Sequence, residues 1–486
     1  MSPATVILIP FIGAAAIALA AGRPRLRDAC GWIAAIAFFV GVVQQVGPVL
    51  EGAGREQLLW SILPGLDLAL RVEPLGLIFA LVASTLWLVA TLYAQSYMKA
   101  MNYLHLGRFF ACYALALGAA AGVAFADNLI TLFIFYEVLT ISTYPLVTHS
   151  GNADARRGGR IYLGYLLTSS IGLLLVAILW TYFATGTVEF AEGGILAGHV
   201  DEAWLPLLAG LFFFGIGKAA LMPMHRWLPA AMVAPAPVSA LLHAVAVVKA
   251  GVFTVLKVAV YVFGIDLLAE TSAALWVAWM AAFTIIAASV VALRLDDLKA
   301  RLAYSTVAQL SYVVLGALVA TPLALIGAIM HLAFHAAAKI TLFFAAGSIQ
   351  VAHNRKKISQ LNGLGRAMPL TFAAFTVATL SIIGLPLVAG MWSKWYLLLG
   401  SLEAEQWVLV IALLISSLLN IAYLLVVPAR AFLLPPADDQ VPGRFKEAPW
   451  PMVASMLITA GLCIFFFFRP DLVFDLAAML IDGGVS

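Results

Sequence analysis

Five lysines and one glutamate sit inside stretches so apolar that a bilayer is their natural solvent: Glu137 in ITLFIFYEVLTISTYPLV, with Lys218, Lys249, Lys257, Lys339 and Lys394. A Lys or Asp at the centre of a membrane helix costs roughly 2.5–3.5 kcal/mol on insertion scales. One such lysine could snorkel to an interface. Six ionisable groups in five segments imply a polar track through the membrane, and proton transfer is the chemistry such groups support there.

Among the 24 acidic residues, only Glu137 is placed well inside an apolar stretch. A lone carboxyl there is neutral unless an ammonium group approaches it. Lys218 is the candidate partner. Close together both stay charged; pulled apart, the lysine gives up its proton. A static buried ion pair is the alternative, and such pairs add little stability.

The segment IMHLAFHAAAKITLFFAAGS places His331, His335 and Lys339 at successive i, i+4 positions. On a helix these share one face over about 12 Å. The spacing suits a proton relay. Two histidines at i, i+4 also suit zinc, but no third ligand is evident, so no metal site is expected. In APAPVSALLHAVAVVKAGVFTVLKVAVYVFG, His243 and Lys249 are six residues apart and do not share a stripe; they can bracket a water-filled space. Lys257 lies nearer the end of that segment and reads either as an accessory relay group or as a snorkelling side chain. Ser305 and Ser311 either conduct or bond back to their own helix. Trp392 and Trp395 flank Lys394, as cavity walls or as packing. His225, in MHRWLPAA, reads as a proton-uptake group or an interfacial anchor.

The elements that must hold these groups are membrane helices. The chain of 486 residues is 64% hydrophobic and 10% charged, where soluble domains are about 25% charged, and its mean hydropathy is +1.03. A spanning helix needs about 20 apolar residues. Fourteen such stretches are expected: about 3–21, 29–49, 75–97, 108–126, 127–148, 161–186, 203–222, 237–263, 271–293, 298–319, 322–350, 369–399, 406–433 and 449–468. The first lacks a basic leader and is followed by AAGRPRLR, so it reads as a retained helix. No hydrophilic block is long enough for a soluble domain, and any soluble catalysis belongs to a partner. The three cysteines, Cys30, Cys112 and Cys463, lack metal spacing and read as packing. A net charge of +3 implies no nucleic-acid partner.

Charge distribution checks the count. With the N-terminus outside and the chain alternating sides, Arg55, Arg71 and Arg469 fall outside; besides the five buried lysines, the other nineteen Arg and Lys fall inside. That asymmetry fits the positive-inside rule, and a missed helix would scramble it. Both termini are thus expected outside. The loops are short, so one helical bundle is expected. The longest pieces are about 50–74, 187–202, 351–368 and the polar loop 434–448.

Two spans carry breakers beside a lysine: Pro223 after Lys218 in the seventh, and Gly384, Pro386 and Gly390 before Lys394 in the twelfth. Proline removes a backbone donor, and freed carbonyls are tolerated in a membrane only where protein or water satisfies them. Interrupted helices five spans apart point to inverted repeats around a midplane ion site.

These segments resemble the antiporter-like proton-translocating subunits shared by respiratory complex I and Mrp-type cation/proton antiporters. The resemblance rests on FIFYEVLTISTYPLV, GKAALMPMHRWLPAAMVAPAPVSALLHAVAVVKAG, HLAFHAAAKITLFFAAGSI and GLPLVAGMWSKWYLLLG. It implies an all-α polytopic bundle of about fourteen helices. Residues 1–107 hold the first three, 108–263 and 271–433 form two inverted five-helix repeats (spans four to eight and nine to thirteen), and 449–486 hold the last helix and tail. It also implies a hydrated axis, with Glu137 and Lys218 paired, Lys249 central and Lys394 terminal. The lysine in SKWYLL is most similar to the Mrp D subunit, and the absence of a long lateral helix separates the chain from the family's longest type. Leu385-Pro386-Leu387 departs from the family's usual pair of prolines.

The function expected is a subunit of a multisubunit sodium/proton antiporter in the cell's inner (plasma) membrane, a transporter rather than an enzyme itself. Other membrane subunits are its partners, with protons and sodium as cargo and no cofactor. The chain lacks the oxygen-rich cage a hard cation prefers, so sodium is expected to be coupled through other subunits. The rival is the membrane arm of an NADH:quinone oxidoreductase or membrane-bound hydrogenase. Energy coupling for inorganic-carbon uptake and a non-transport scaffold are further alternatives.

Overall fold

A computed structural model describes residues 1–63, 66–436 and 445–482. Residues 437–444 of the expected loop at 434–448 lie outside it, as does the side chain of His243.

Ten helices are long and apolar enough to cross a bilayer: Pro24–Leu50, Pro74–Ala100, Leu106–Ala124, Leu129–Val147, Ala153–Thr185, Leu275–Arg294, Leu298–Val319, Pro322–His353, Trp407–Leu433 and Trp450–Phe468. Pro3–Leu19, Leu205–Gly215 and Pro369–Ile383 are shorter apolar helices, and Val247–Phe263 bends by 81° into Ile265–Thr271. Counted together among the described residues, these segments occupy the fourteen expected places.

Helix starts are set by side-chain caps. Asn128 accepts from the Thr131 N–H at 2.8 Å and Asn152 from Ala155 at 2.7 Å, opening the fifth and sixth spans. Asp297 and Thr321 do the same for the tenth and eleventh. Such caps satisfy N–H groups left without an intrahelical partner. The tenth and eleventh spans form the core, buried along nearly their whole length, whereas fewer than half of the residues in the most apolar stretch of the second, sixth and fourteenth are buried. Peripheral spans present Ile12, Phe183 and Leu418 outward, as lipid contact or subunit packing requires.

The breaks fall where proline and glycine placed them. The seventh span stops at Gly215, a short 3₁₀ turn Gly217–Ala219 carries Lys218, and helix resumes only at Trp227–Ala230. The twelfth stops at Ile383 and resumes at Gly390–Glu403. Gly384 there has φ +90°, a region that favours glycine. Two π-helical turns, Leu241–Val245 and Ala259–Phe263, flank the straight part of the eighth span; such turns often mark functional sites.

Two elements were not expected. The stretch read as an external loop forms an antiparallel hairpin, β1 (Glu56–Leu63) and β2 (Leu66–Arg71), with Glu56 opposite Arg71. The tail after the last span forms a helix, Asp471–Asp482.

Candidate functional site: a buried lysine and histidine series

The broken seventh span delivers Lys218 into the protein interior. Its Nζ donates to the Tyr136 carbonyl oxygen at 2.8 Å and to Thr140 Oγ1 at 2.6 Å, and lies 3.1 Å from the Tyr136 ring centroid. The Lys218 N–H, freed by the break, donates to Tyr136 Oη at 3.1 Å. Trp227 Nε1 donates to the Gly217 carbonyl at 2.9 Å and fixes the far side of the turn. Gly251 lets the eighth span meet this turn directly: a Cβ there would stand 2.3 Å from the Lys218 carbonyl carbon.

Lys218 therefore rests on the helix that carries Glu137 without touching Glu137. Among the described residues Glu137 forms no ion pair, and both its carboxylate oxygens are buried without a hydrogen-bond partner. The reason is angular. Tyr136 and Thr140 share the inner stripe of the fifth span, while Glu137 lies on the stripe of the outward-facing Ile134 and Ile141.

From Lys249 onward the groups are linked by contact. Lys249 Nζ lies 2.8 Å from His335 Nδ1. The His335 and His331 rings stack at 5.5 Å between centroids, one helical turn apart. His331 Nδ1 lies 2.9 Å from Ser393 Oγ, and its ring stacks on Tyr312 at 5.5 Å. The other edge of this group is Lys394, whose Nζ is 4.9 Å from the Tyr312 ring centroid. Lys394 donates to the Ile383 carbonyl at 3.1 Å and to Ser417 Oγ at 3.2 Å. The Ile383 carbonyl belongs to the last helical turn before the break, so the interrupted helix supplies the acceptor that holds the amine.

Lys339 does not lie between the histidines and Lys394. It turns toward the tenth span, donating to Ser305 Oγ at 2.7 Å and to the Leu302 carbonyl at 3.3 Å. Tyr423 Oη donates to the same Ser305 oxygen at 3.1 Å and bonds Asn420. The expected three-residue ladder thus divides: the histidines lead to Lys394, and Lys339 leads to a side cluster.

The tenth span runs antiparallel to the eleventh, with Ser305 at the level of Lys339 and Tyr312 at that of His331. Gln309, one turn beyond Ser305, is then level with His335. Both its amide atoms are buried without a partner among the described residues. A buried polar group in this state calls for water, and here water would bathe the midpoint of the series.

The accessory residues divide. Ser311 Oγ donates to its own helix at Val307, 3.1 Å away, as the back-bonding alternative expects. Ser305, paired with it in the sequence reading, does engage a lysine. His225 packs its ring 5.9 Å from Tyr304 at the opposite end of the seventh span from Leu205. Trp392 Nε1 donates to the Phe467 carbonyl at 2.9 Å, and Trp395 is half exposed. Lys257 does not snorkel: it is buried, with Nζ 2.7 Å from Glu73 Oε1. Sequence reasoning missed Glu73, Ser393, Tyr312 and Gln309. Glu73 had no signal, since it precedes its span and reads as a loop residue; Ser393 stood beside Lys394.

The description NADH:quinone oxidoreductase/Mrp antiporter membrane family fits residues 126–420. The chain is 33% identical over 471 residues to NADH-quinone oxidoreductase subunit N of Desulforudis audaxviator, covering 94% of this chain and 92% of that protein. It is 30% identical to a putative antiporter subunit mnhA2 of Staphylococcus haemolyticus, covering 92% of this chain but only 59% of the relative. In fold it matches a chain of the Mrp complex from Dietzia with a TM-score of 0.87 at 22% identity, covering 98% of this chain and 96% of that one. A chain of an archaeal membrane-bound sulfane sulfur reductase matches with a TM-score of 0.85 at 22% identity, covering 99% and 97%. Family model, relatives and architecture agree: this chain is a multi-pass membrane protein and belongs to the NADH:quinone oxidoreductase/Mrp antiporter family of membrane subunits.

Proposed function

We propose that the chain is the proton-translocating subunit of a multisubunit sodium/proton antiporter of Mrp type, closest in kind to the D subunit. The observation that carries this reading is the contact series Lys249, His335, His331, Tyr312 and Lys394, with Ser393 bonded to His331, running through the middle of the bundle from a buried Lys249 to a half-buried Lys394. Protons are taken up near Glu137, Lys218 and His225, pass to Lys249, cross the two histidines and leave by Lys394. Lys339 acts as a side charge that biases the histidines. Neighbouring sites titrate together, so a charge on one lowers the proton affinity of the next.

In this reading residues 108–263 and 271–433 are the two inverted repeats, flanked by 1–107 and 449–486. The bundle sits in the plasma membrane with both termini outside. Sodium passes through partner subunits. The D-type assignment rests on Lys394 in its SKWYLL setting. The test is Lys218→Ala in the assembled complex, with sodium-driven proton movement followed in membrane vesicles. Loss of exchange in an assembled complex supports the reading, and exchange at the parent's rate refutes the role of Lys218.

A second reading has its own observation. Coverage of the subunit N relative is nearly complete, whereas the chain spans about three fifths of the mnhA2 relative. In that case the same series serves the membrane arm of a redox enzyme. Co-purification separates the two: iron–sulfur or flavin subunits favour the enzyme, and small membrane subunits alone favour the antiporter.

A further inference from the structure

A cavity of about 340 Å³ opens at the end of the bundle that carries the β-hairpin, the side assigned above to the outside. Arg71, Glu73, Glu192, Tyr261 and Asp266 line it, and the C-terminal helix closes one edge at Leu480. Glu73 is only 7% exposed. It occupies the N-cap of Pro74–Ala100, yet its side chain makes no capping bond. It turns instead to Lys257 Nζ, 2.7 Å away.

Lys257 is walled off behind that carboxylate. Its ammonium also donates to the Ala126 carbonyl at 2.6 Å and stands 4.3 Å from the Phe190 ring centroid. Of the five buried lysines, it is the one matched by a carboxylate within 4 Å among the described residues. It shares a helix with Lys249 eight residues earlier, about 12 Å along the axis. The groups that face the pair are Tyr261 from its own helix, Arg71 from the hairpin, and Asp127 from the turn before the fifth span, with Glu56 and Glu192 further out. Burial pushes the Asp127 carboxyl up to about 6, against the pull of Lys257 and Arg71.

We propose that Glu73 and Lys257 form a second proton gate, joining the outer cavity to the Lys249 end of the series, so that the first repeat has its own outlet beside that of Lys394. Lys257 passes its proton to the Glu73 carboxylate, leaving a neutral amine and a neutral acid. Glu73 then releases that proton to water in the cavity, and the amine is reprotonated from the Lys249 side. No other bond changes. A proton arriving on Lys249 drives the first step, because two ammonium groups on one helix repel.

The gate rests on the proton-transport reading, and the assembled complex in vesicles tests the two separately. A parent complex without cation-coupled proton movement refutes the transport reading itself. With an active parent, Glu73→Gln combined with Lys257→Gln removes both charges and nearly preserves volume, and co-purification of partner subunits reports assembly. The gate predicts that this assembled double variant exchanges about twofold more slowly, the share of one of two equal outlets. A merely structural ion pair predicts an unchanged rate, because the neutral pair replaces it, and that result overturns the gate. An independent arm uses Ala269→Cys on the exposed cavity wall and a bulky membrane-impermeant thiol reagent applied from the hairpin side. Slowing confined to the treated variant supports the gate, and full exchange after complete labelling overturns it.

Discussion

Replacing His335 with glutamine isolates proton transfer from packing. Lys249 Nζ lies 2.8 Å from His335 Nδ1. Two positive charges at that separation repel by about 6 kcal/mol at an effective dielectric of 20. The pair therefore holds one added proton, and a second arriving proton must move on toward His331. In His335→Gln an amide oxygen can still accept from Lys249, but no ring nitrogen remains to take up and release a proton. A positioned acid–base group contributes on the order of 10²–10⁴ in rate, so proton exchange should fall by about a hundredfold or more. The assay is sodium-driven change of internal pH in vesicles carrying the assembled complex, with partner subunits quantified to show that assembly is intact. Water near Gln309 would be the competing carrier. Exchange in assembled His335→Gln within about threefold of the parent, far above that acid–base range, would mean that water alone carries the proton past this point, and the contact series would lose its central link.

Three further outcomes follow from the same geometry. Gly384→Ala forces a side chain onto a φ of +90° and sets its Cβ 2.7 Å from Lys394 Cδ. The strain is about 1–3 kcal/mol and the lysine stem must shift, so exchange should drop while co-purification of the subunits persists; a parental rate would show that the seat of Lys394 is dispensable. Gly251→Ala meets backbone rather than a flexible stem, 2.3 Å from the Lys218 carbonyl carbon. It should cut the yield of folded protein, read by size-exclusion chromatography, whereas normal yield would contradict the close packing of the seventh and eighth spans. For orientation, a cysteine at Lys356 should be labelled by an impermeant reagent only from the cytoplasmic side and one at Glu405 only from the outside; the reverse pattern would invert the assignment of both termini.

The sequence exposed much of this because membrane helices are governed by two strong rules. Apolar length and the Arg/Lys asymmetry located fourteen spans, and Pro223, Gly384 and Pro386 located both breaks. Buried lysines were legible because a charge is so costly in lipid. What sequence could not convey was which way a side chain points. His331, His335 and Lys339 share a helix stripe, yet Lys339 is drawn aside by Ser305, a partner 34 residues away in the chain. Glu137 and Lys218 suggested a direct ion pair, whereas Lys218 bonds to Tyr136 and Thr140 on the neighbouring stripe of the same helix. Glu73 looked like a loop residue because it precedes the first turn of its helix, and only the return of the eighth span beside it makes it the counter-charge of Lys257. The hairpin at 56–71 went unseen because its residues were read only as a gap between spans.

The most direct measurement places the purified, assembled complex in liposomes, imposes a sodium gradient and follows internal pH in parent and Lys394→Ala vesicles. Proton movement opposite to sodium in the parent, sharply slowed in Lys394→Ala, is the predicted result. Exchange at the parent's rate in an assembled Lys394→Ala complex would contradict it, since the series would then end at a residue that no proton needs.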